Sequence, residues 1–122
     1  MKKIFVFILV CSLSSCLQEK GSVVVENGNG EKVSIPYEIT DLEAFRNLYS
    51  LADLRYFAEK SSEKAKYSCK HEPTYEPKEI GFRLMGDTLV AVMSFTAKNG
   101  FGVPDDLIHY YQYKGKTLIY SY

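Results

Sequence analysis

Residues Ile80 to Thr96 read IGFRLMGDTLVAVMSFT, and this stretch decides the fold. Its apolar residues alternate with polar or mixed ones, the period-two pattern of a strand with one buried face. Ile80, Phe82 and Leu84 point one way, and Leu89, Ala91, Met93 and Phe95 continue that face beyond Gly86-Asp87. A two-residue loop with Gly first suits a type II′ turn, which sets Leu84 opposite Leu89. Arg83, Val90, Val92, Ser94 and Thr96 make the other face mixed and half wet. One antiparallel hairpin is thereby anchored, and something else in the chain must cover its apolar side.

The cover lies upstream. Thr40-Asp41-Leu42-Glu43 reads as a capping box, with Thr40 as the cap. From there Leu42, Phe45, Leu48, Tyr49, Ala52 and Tyr56 recur at three-and-four spacing, predicting one main helix with an apolar stripe. Leu54 and Phe57 fall off that stripe, which requires a bend near Asp53 or a sheet that wraps the helix. The polar run from Glu59 to Lys66 predicts solvated last turns. Ahead of the helix, Ser22 to Val25 and Lys32 to Ile39 flank Asn27-Gly28-Asn29-Gly30, strong turn chemistry between two strands. Pro36 marks the second of these as an edge. Tyr67 to Lys78, with Pro73 and Pro77, reads as a loop.

Downstream, Asn99-Gly100-Phe101-Gly102 reads as a tight connection with Phe101 plugging the edge of the core. Asp105-Asp106 reads as a cap or turn start. Ile108 to Tyr113 and Thr117 to Tyr122 form a last hairpin over Lys114-Gly115. The order β-β-α-β-β-β-β predicts an α+β domain, one main helix packed against an antiparallel β-meander. A helix followed by four meandering strands is similar to the cystatin topology. That family's Gln-x-Val-x-Gly hairpin is absent, so the resemblance implies no inhibitory residues here.

Length and charge narrow the function. A chain of 122 residues makes one domain, and 15 basic against 15 acidic residues offers no cationic excess for nucleic acid. Met1-Lys2-Lys3 followed by the apolar run Ile4 to Leu13 reads as a signal peptide, too short to span a hydrocarbon core of about 20 residues' length. Leu13-Ser14-Ser15-Cys16 resembles the lipobox of bacterial lipoproteins. Val10 before Cys11 is branched and fits that pattern poorly. The resemblance implies cleavage of residues 1–15 and acylation, palmitate included, at Cys16. Residues 16–21 then form a lipidated tether and 22–122 the domain. Two or three acyl chains anchor stably, whereas one holds only reversibly. Leu17, in place of the Asp that retains lipoproteins at the inner membrane, implies the outer membrane, on either its periplasmic or its surface face. The chain is similar in this to short envelope lipoproteins of Bacteroidota-type cells. Lys2 and Lys3 leave with the signal, turning the neutral balance slightly acidic, and Cys69 remains as the one thiol. No intrachain disulfide is then available to hold the domain.

Cys69-Lys70-His71-Glu72 is the densest reactive cluster, with His109 a distant fourth ligand. A zinc site needs three or four protein ligands in place. The expectation is instead that Cys69 packs as a small apolar residue with His71 solvated, with neither metal nor cofactor bound. Tyr is the distinctive feature, at 10 residues. With the last turn at Lys114-Gly115, His109, Tyr111, Tyr113, Leu118, Tyr120 and Tyr122 share one face of the hairpin. Aromatic side chains of this kind supply large contact area at low entropy cost. His109, Tyr111, Tyr113, Tyr120 and Tyr122 are therefore the expected contact set for an envelope protein or a glycan. The expected function is a membrane-anchored, non-catalytic binding or accessory module, not an enzyme. The alternative is an inhibitor or immunity protein against a lysozyme, protease or toxin.

Overall fold

The computed structural model describes residues 19–122, so the signal sequence, the lipobox and Cys16 lie outside the described residues. Six strands form one sheet: β1 (Glu19–Glu26), β2 (Lys32–Ile39), β3 (Glu76–Met85), β4 (Thr88–Lys98), β5 (Pro104–Lys114) and β6 (Thr117–Ser121). They lie side by side in chain order. Two helices, α1 (Leu42–Leu48) and α2 (Leu51–Tyr67), link β2 to β3, and a short 3₁₀ turn covers Glu72–Thr74. The α+β class read from the sequence stands. The tether is shorter than expected, because β1 begins at Glu19 and takes in residues 19–21.

The decisive hairpin forms in the expected register, with Leu84 opposite Leu89 and Ile80 opposite Met93. Gly86 takes a φ of +66° while Asp87 stays negative, as a type II′ turn requires. The sheet is not wholly antiparallel, however. β2 and β3 run parallel from Tyr37–Ile80 to Ile39–Phe82, as a connection through two helices allows. Pro36 is accordingly not at an edge. The hairpin bond from Asn27 N–H to the Glu31 carbonyl leaves Pro36 opposite Ser22 in a pair that exchanges no hydrogen bonds. Pairing to β3 starts one residue later, so the missing N–H breaks no ladder.

The single predicted helix is two. The chain leaves helical geometry at Tyr49 and Ser50, where Ser50 opens a capping box with Asp53. Ser50 Oγ accepts from the Asp53 amide and the Asp53 carboxylate accepts from the Ser50 amide, at 3.3 and 3.0 Å. At the head of α1 the cap is Asp41 rather than Thr40, accepting from the Ala44 amide. The break re-phases the apolar stripe: Leu42, Phe45 and Tyr49 are buried before it and Leu54, Phe57 and Ala58 after it, while Leu48 and Tyr56 are exposed. The polar tail is not wholly wet either. Ser61 and Ser62 are buried because Tyr113 and Tyr75 share their hydroxyl hydrogen bonds with them, at 2.8 and 2.7 Å.

Both helices pack on one face of the sheet. Phe57 joins the layers, its ring 4.9 Å from both Tyr49 and Tyr113, and Phe82, Met93 and Phe95 complete the core beneath.

Candidate functional site

The Tyr-rich hairpin does not form as its alternation predicts. Lys114 pairs with Thr117, so the turn residues are Gly115-Lys116, with Gly115 at a φ of +61°. Tyr113 then pairs with Leu118, but Gln112 pairs with Tyr120, leaving Ile119 as an extra residue in β6. A one-residue bulge flips every later side chain to the other face. Tyr110 and Tyr122 exchange backbone hydrogen bonds beyond it, and so share the outer face with Gln112 and Tyr120.

The five expected contact residues therefore divide. Tyr111 and Tyr113 lie on the helix-covered face, 2% and 0% exposed. Burial raises both phenols, Tyr113 to about 12, although the Ser61 hydrogen bond opposes the rise. His109 is half-buried on the same side, edge-on to Phe95 at 5.0 Å, with Nδ1 3.3 Å from the Tyr111 hydroxyl. Desolvation holds its pKa below the usual histidine value. These three are packing residues.

Tyr120 and Tyr122 are 55% and 57% exposed on the opposite face, which carries no helix among the described residues. There they meet Tyr110, which simple alternation sets on the other side of the hairpin. Tyr110 and Tyr122 stack with centroids 5.3 Å apart and ring planes at 18°, and Tyr120 stands edge-on to Tyr122 at 4.8 Å. Exposed Ile108 adjoins them along β5. On the β1–β4 part of this face lies a shallow trough of about 350 Å³, bordered by Lys20, Pro36, Glu38, Glu79, Val92 and Ser94. Gly81 forms its floor, with open space where a side chain would stand. An aromatic stack beside a trough with carboxylate and hydroxyl groups can hold a flat apolar surface and hydrogen-bond polar groups beside it.

The reactive cluster does not assemble. Cys69 Sγ contacts the Ala65 carbonyl at 3.3 Å and packs against the core, and burial and nearby Glu72 raise its thiol pKa. His71 precedes the 3₁₀ turn, where its carbonyl accepts from the Thr74 hydroxyl. Among the described residues no three His, Cys, Asp or Glu side chains converge as a metal site. A groove of about 420 Å³ lies between β1 and α2, lined by Val24, Arg55, Glu59, Glu63, Lys66 and Tyr67 among others.

Two further corrections concern the connection after β4. Phe101 does not plug the core: it is 95% exposed. The Asn99 side-chain oxygen accepts from the Phe101 and Val103 amides, which fixes a tight loop with Phe101 projecting from it. Asp105 and Asp106 are strand residues, opposite Ala97 and Thr96, and Asp105 accepts from the Asn99 side-chain amide.

The chain matches no protein-family model, no curated protein and no solved structure. Fold and surface define a class only: a two-layer α+β domain with an aromatic sheet face that bears no helix among the described residues.

Proposed function

We propose that this protein is a lipid-anchored envelope lipoprotein, held in the outer membrane through Cys16, and that it acts as a non-catalytic binding or accessory module. The observation that carries the binding role is the stacked trio Tyr110, Tyr120 and Tyr122 on the uncovered sheet face. Rigid aromatic side chains with free faces are the anchors that recognition surfaces concentrate, because burying them costs few rotamers. The partner is an envelope protein or a glycan, and no cofactor takes part. The cystatin-like order of elements contributes nothing to this reading.

Cross-linking in intact cells with the full lipidated chain tests it. Tyr110→Ser combined with Tyr120→Ser removes the stack without touching the core. The variant should fold, reach the same membrane and lose its cross-linked partner. If it keeps every partner of the parent, the binding face is wrong.

Phe101 supports a second reading, an inhibitor or immunity protein. A preorganised loop with one aromatic at its tip is a shape that enters an enzyme cleft at low entropic cost. Loss of the partner on Phe101→Ser, with the Tyr variant unaffected, would select this reading over the first.

A further inference from the structure

One end of the sheet gathers the start of β1, the helix break and two hairpin turns. β1 starts there, at Glu19, and Glu19 is held in place: the Tyr37 hydroxyl donates to it at 2.9 Å and Arg46 of α1 lies 3.8 Å away. Gly21 leaves room for that Tyr37 ring, since a Cβ would approach it to 2.8 Å. The same end carries α1, the α1–α2 junction, the Gly86-Asp87 turn and the Gly115-Lys116 turn. Contacts tie these together. The Tyr49 hydroxyl donates to the Gly115 carbonyl, Lys116 pairs with Asp53 at 3.0 Å, and Lys114 reaches Asp87 at 3.7 Å.

Large apolar side chains are exposed at this end: Leu48 and Leu51 on either side of the helix break, and Met85 at the foot of β3. Neither Leu48 nor Leu51 is used by the core, although helical periodicity marked Leu48 for it. Only Leu17 and Gln18 separate Cys16 from Glu19. Three residue steps span at most about 11 Å, even fully extended.

We infer that the end of the domain bearing Leu48, Leu51 and Met85 docks onto the lipid surface in which Cys16 is anchored. This rests on the lipoprotein reading above. The spacer is too short to hold the domain clear of the headgroups, so one end must face them. The end that does so is the one where β1 starts, opposite Ile39, three residue steps from Cys16, and that end exposes Leu48, Leu51 and Met85. Side chains of this type settle in the boundary between headgroups and acyl chains, while the Lys114 and Lys116 ammonium groups stay at headgroup level on their apolar stems. Glu19, Asp53 and Asp87 already face Arg46, Lys116 and Lys114, so the basic groups here have partners within the fold and the seating should rest on Leu48, Leu51 and Met85 and persist in high salt. The occupant is lipid, because the spacer holds this end within about 11 Å of the anchored Cys16. Phe101 and the Asn27–Gly30 turn lie at the opposite end, pointing away from the membrane.

The chain has no Trp, so a single introduced Trp reports its own position. The full lipidated chain is reconstituted in phosphatidylethanolamine–phosphatidylglycerol vesicles with some lipids brominated high on the acyl chain. Leu48→Trp and Met85→Trp replace exposed residues, and Phe101→Trp serves as the distal control. Insertion into the headgroup–acyl boundary should quench the first two about twofold or more and leave the third unchanged. Flotation with the vesicles and no quenching at 48 or 85 would overturn the seating while leaving the anchor intact, as would quenching at 101 instead. If the chain fails to float, behaving like Cys16→Ser, the lipoprotein reading falls and the seating falls with it.

Discussion

At the residue scale, Tyr113 and Ser61 show why the Tyr content misleads. Tyr113 is fully buried, yet its hydroxyl is satisfied because α2 supplies a serine 2.8 Å away. Ser61→Ala leaves that hydroxyl without a partner, and a buried unpaired polar group costs about 1–3 kcal/mol. Tyr113→Phe in the Ser61→Ala background should recover much of the loss, as read by urea unfolding of all four species. Strict additivity of the two substitutions would mean that the hydrogen bond contributes nothing. His109 adds a pH term. Its folded-state pKa lies below the ordinary 6.5 because burial disfavours the imidazolium, so the unfolded chain binds the proton more readily. Its contribution to stability is thus full above about 6.5 and is lost as pH falls through the lower folded value. His109→Gln should flatten that part of the stability profile, and an unchanged profile would assign the slope elsewhere.

At the scale of elements, local chemistry is legible and phase changes only in part. The Gly86-Asp87 turn fixes its hairpin through a glycine at positive φ, so both register and buried face follow from residues 80–96 alone. The helix break at Ser50 shows in the apolar pattern only as Leu54 and Phe57 falling off the stripe, because Leu42, Phe45, Leu48 and Tyr49 continue smoothly into Ala52 and Tyr56 at helical spacing. Its signal was Ser50 followed by Asp53, a cap-to-N3 pair that the upstream Thr40–Glu43 pattern outcompeted. The bulge at Ile119 has no glycine to announce it, so simple alternation sets Tyr120 and Tyr122 on the wrong face. Phe57 depends on the break. With one continuous stripe it would point away from the sheet, whereas the re-phased α2 sets it between Tyr49 and Tyr113. Phe57→Ala should destabilise the domain by about 3–5 kcal/mol, against about 1 kcal/mol for Ser50→Ala, which removes only a cap. Chemical denaturation of the two variants checks the ranking. Equal losses would place the helix–sheet contact elsewhere.

At the scale of the whole molecule, strand order predicts where the fold opens first. β4 has a strand along both sides, β3 has β2 beside it at residues 80–82 and β5 has β6 beside it from Tyr110 to Lys114, and together they present Phe82, Leu89, Met93, Phe95 and Tyr113 to the helices. β6 is five residues long, pairs only with β5, and buries little beyond Leu118. β1, also at an edge, differs because α2 packs against it and Val23 and Val25 are buried there. Opening free energy follows buried contact, so amides of β4 and of the doubly flanked parts of β3 and β5 should exchange only through global unfolding. Those of β6 should exchange through local opening at a much smaller free energy, with β1 between the two. The parallel β2–β3 pairing was not visible in the sequence, since nothing in Lys32–Ile39 distinguishes an interior strand from an edge once Pro36 is present. It places Ile80 to Phe82 within the central unit and so among the slowest amides to exchange. Native-state hydrogen exchange on the full chain in detergent, resolved by residue, measures this gradient. Protection of β6 equal to that of β4 would contradict an open sheet edge and mean that another strand or surface covers it.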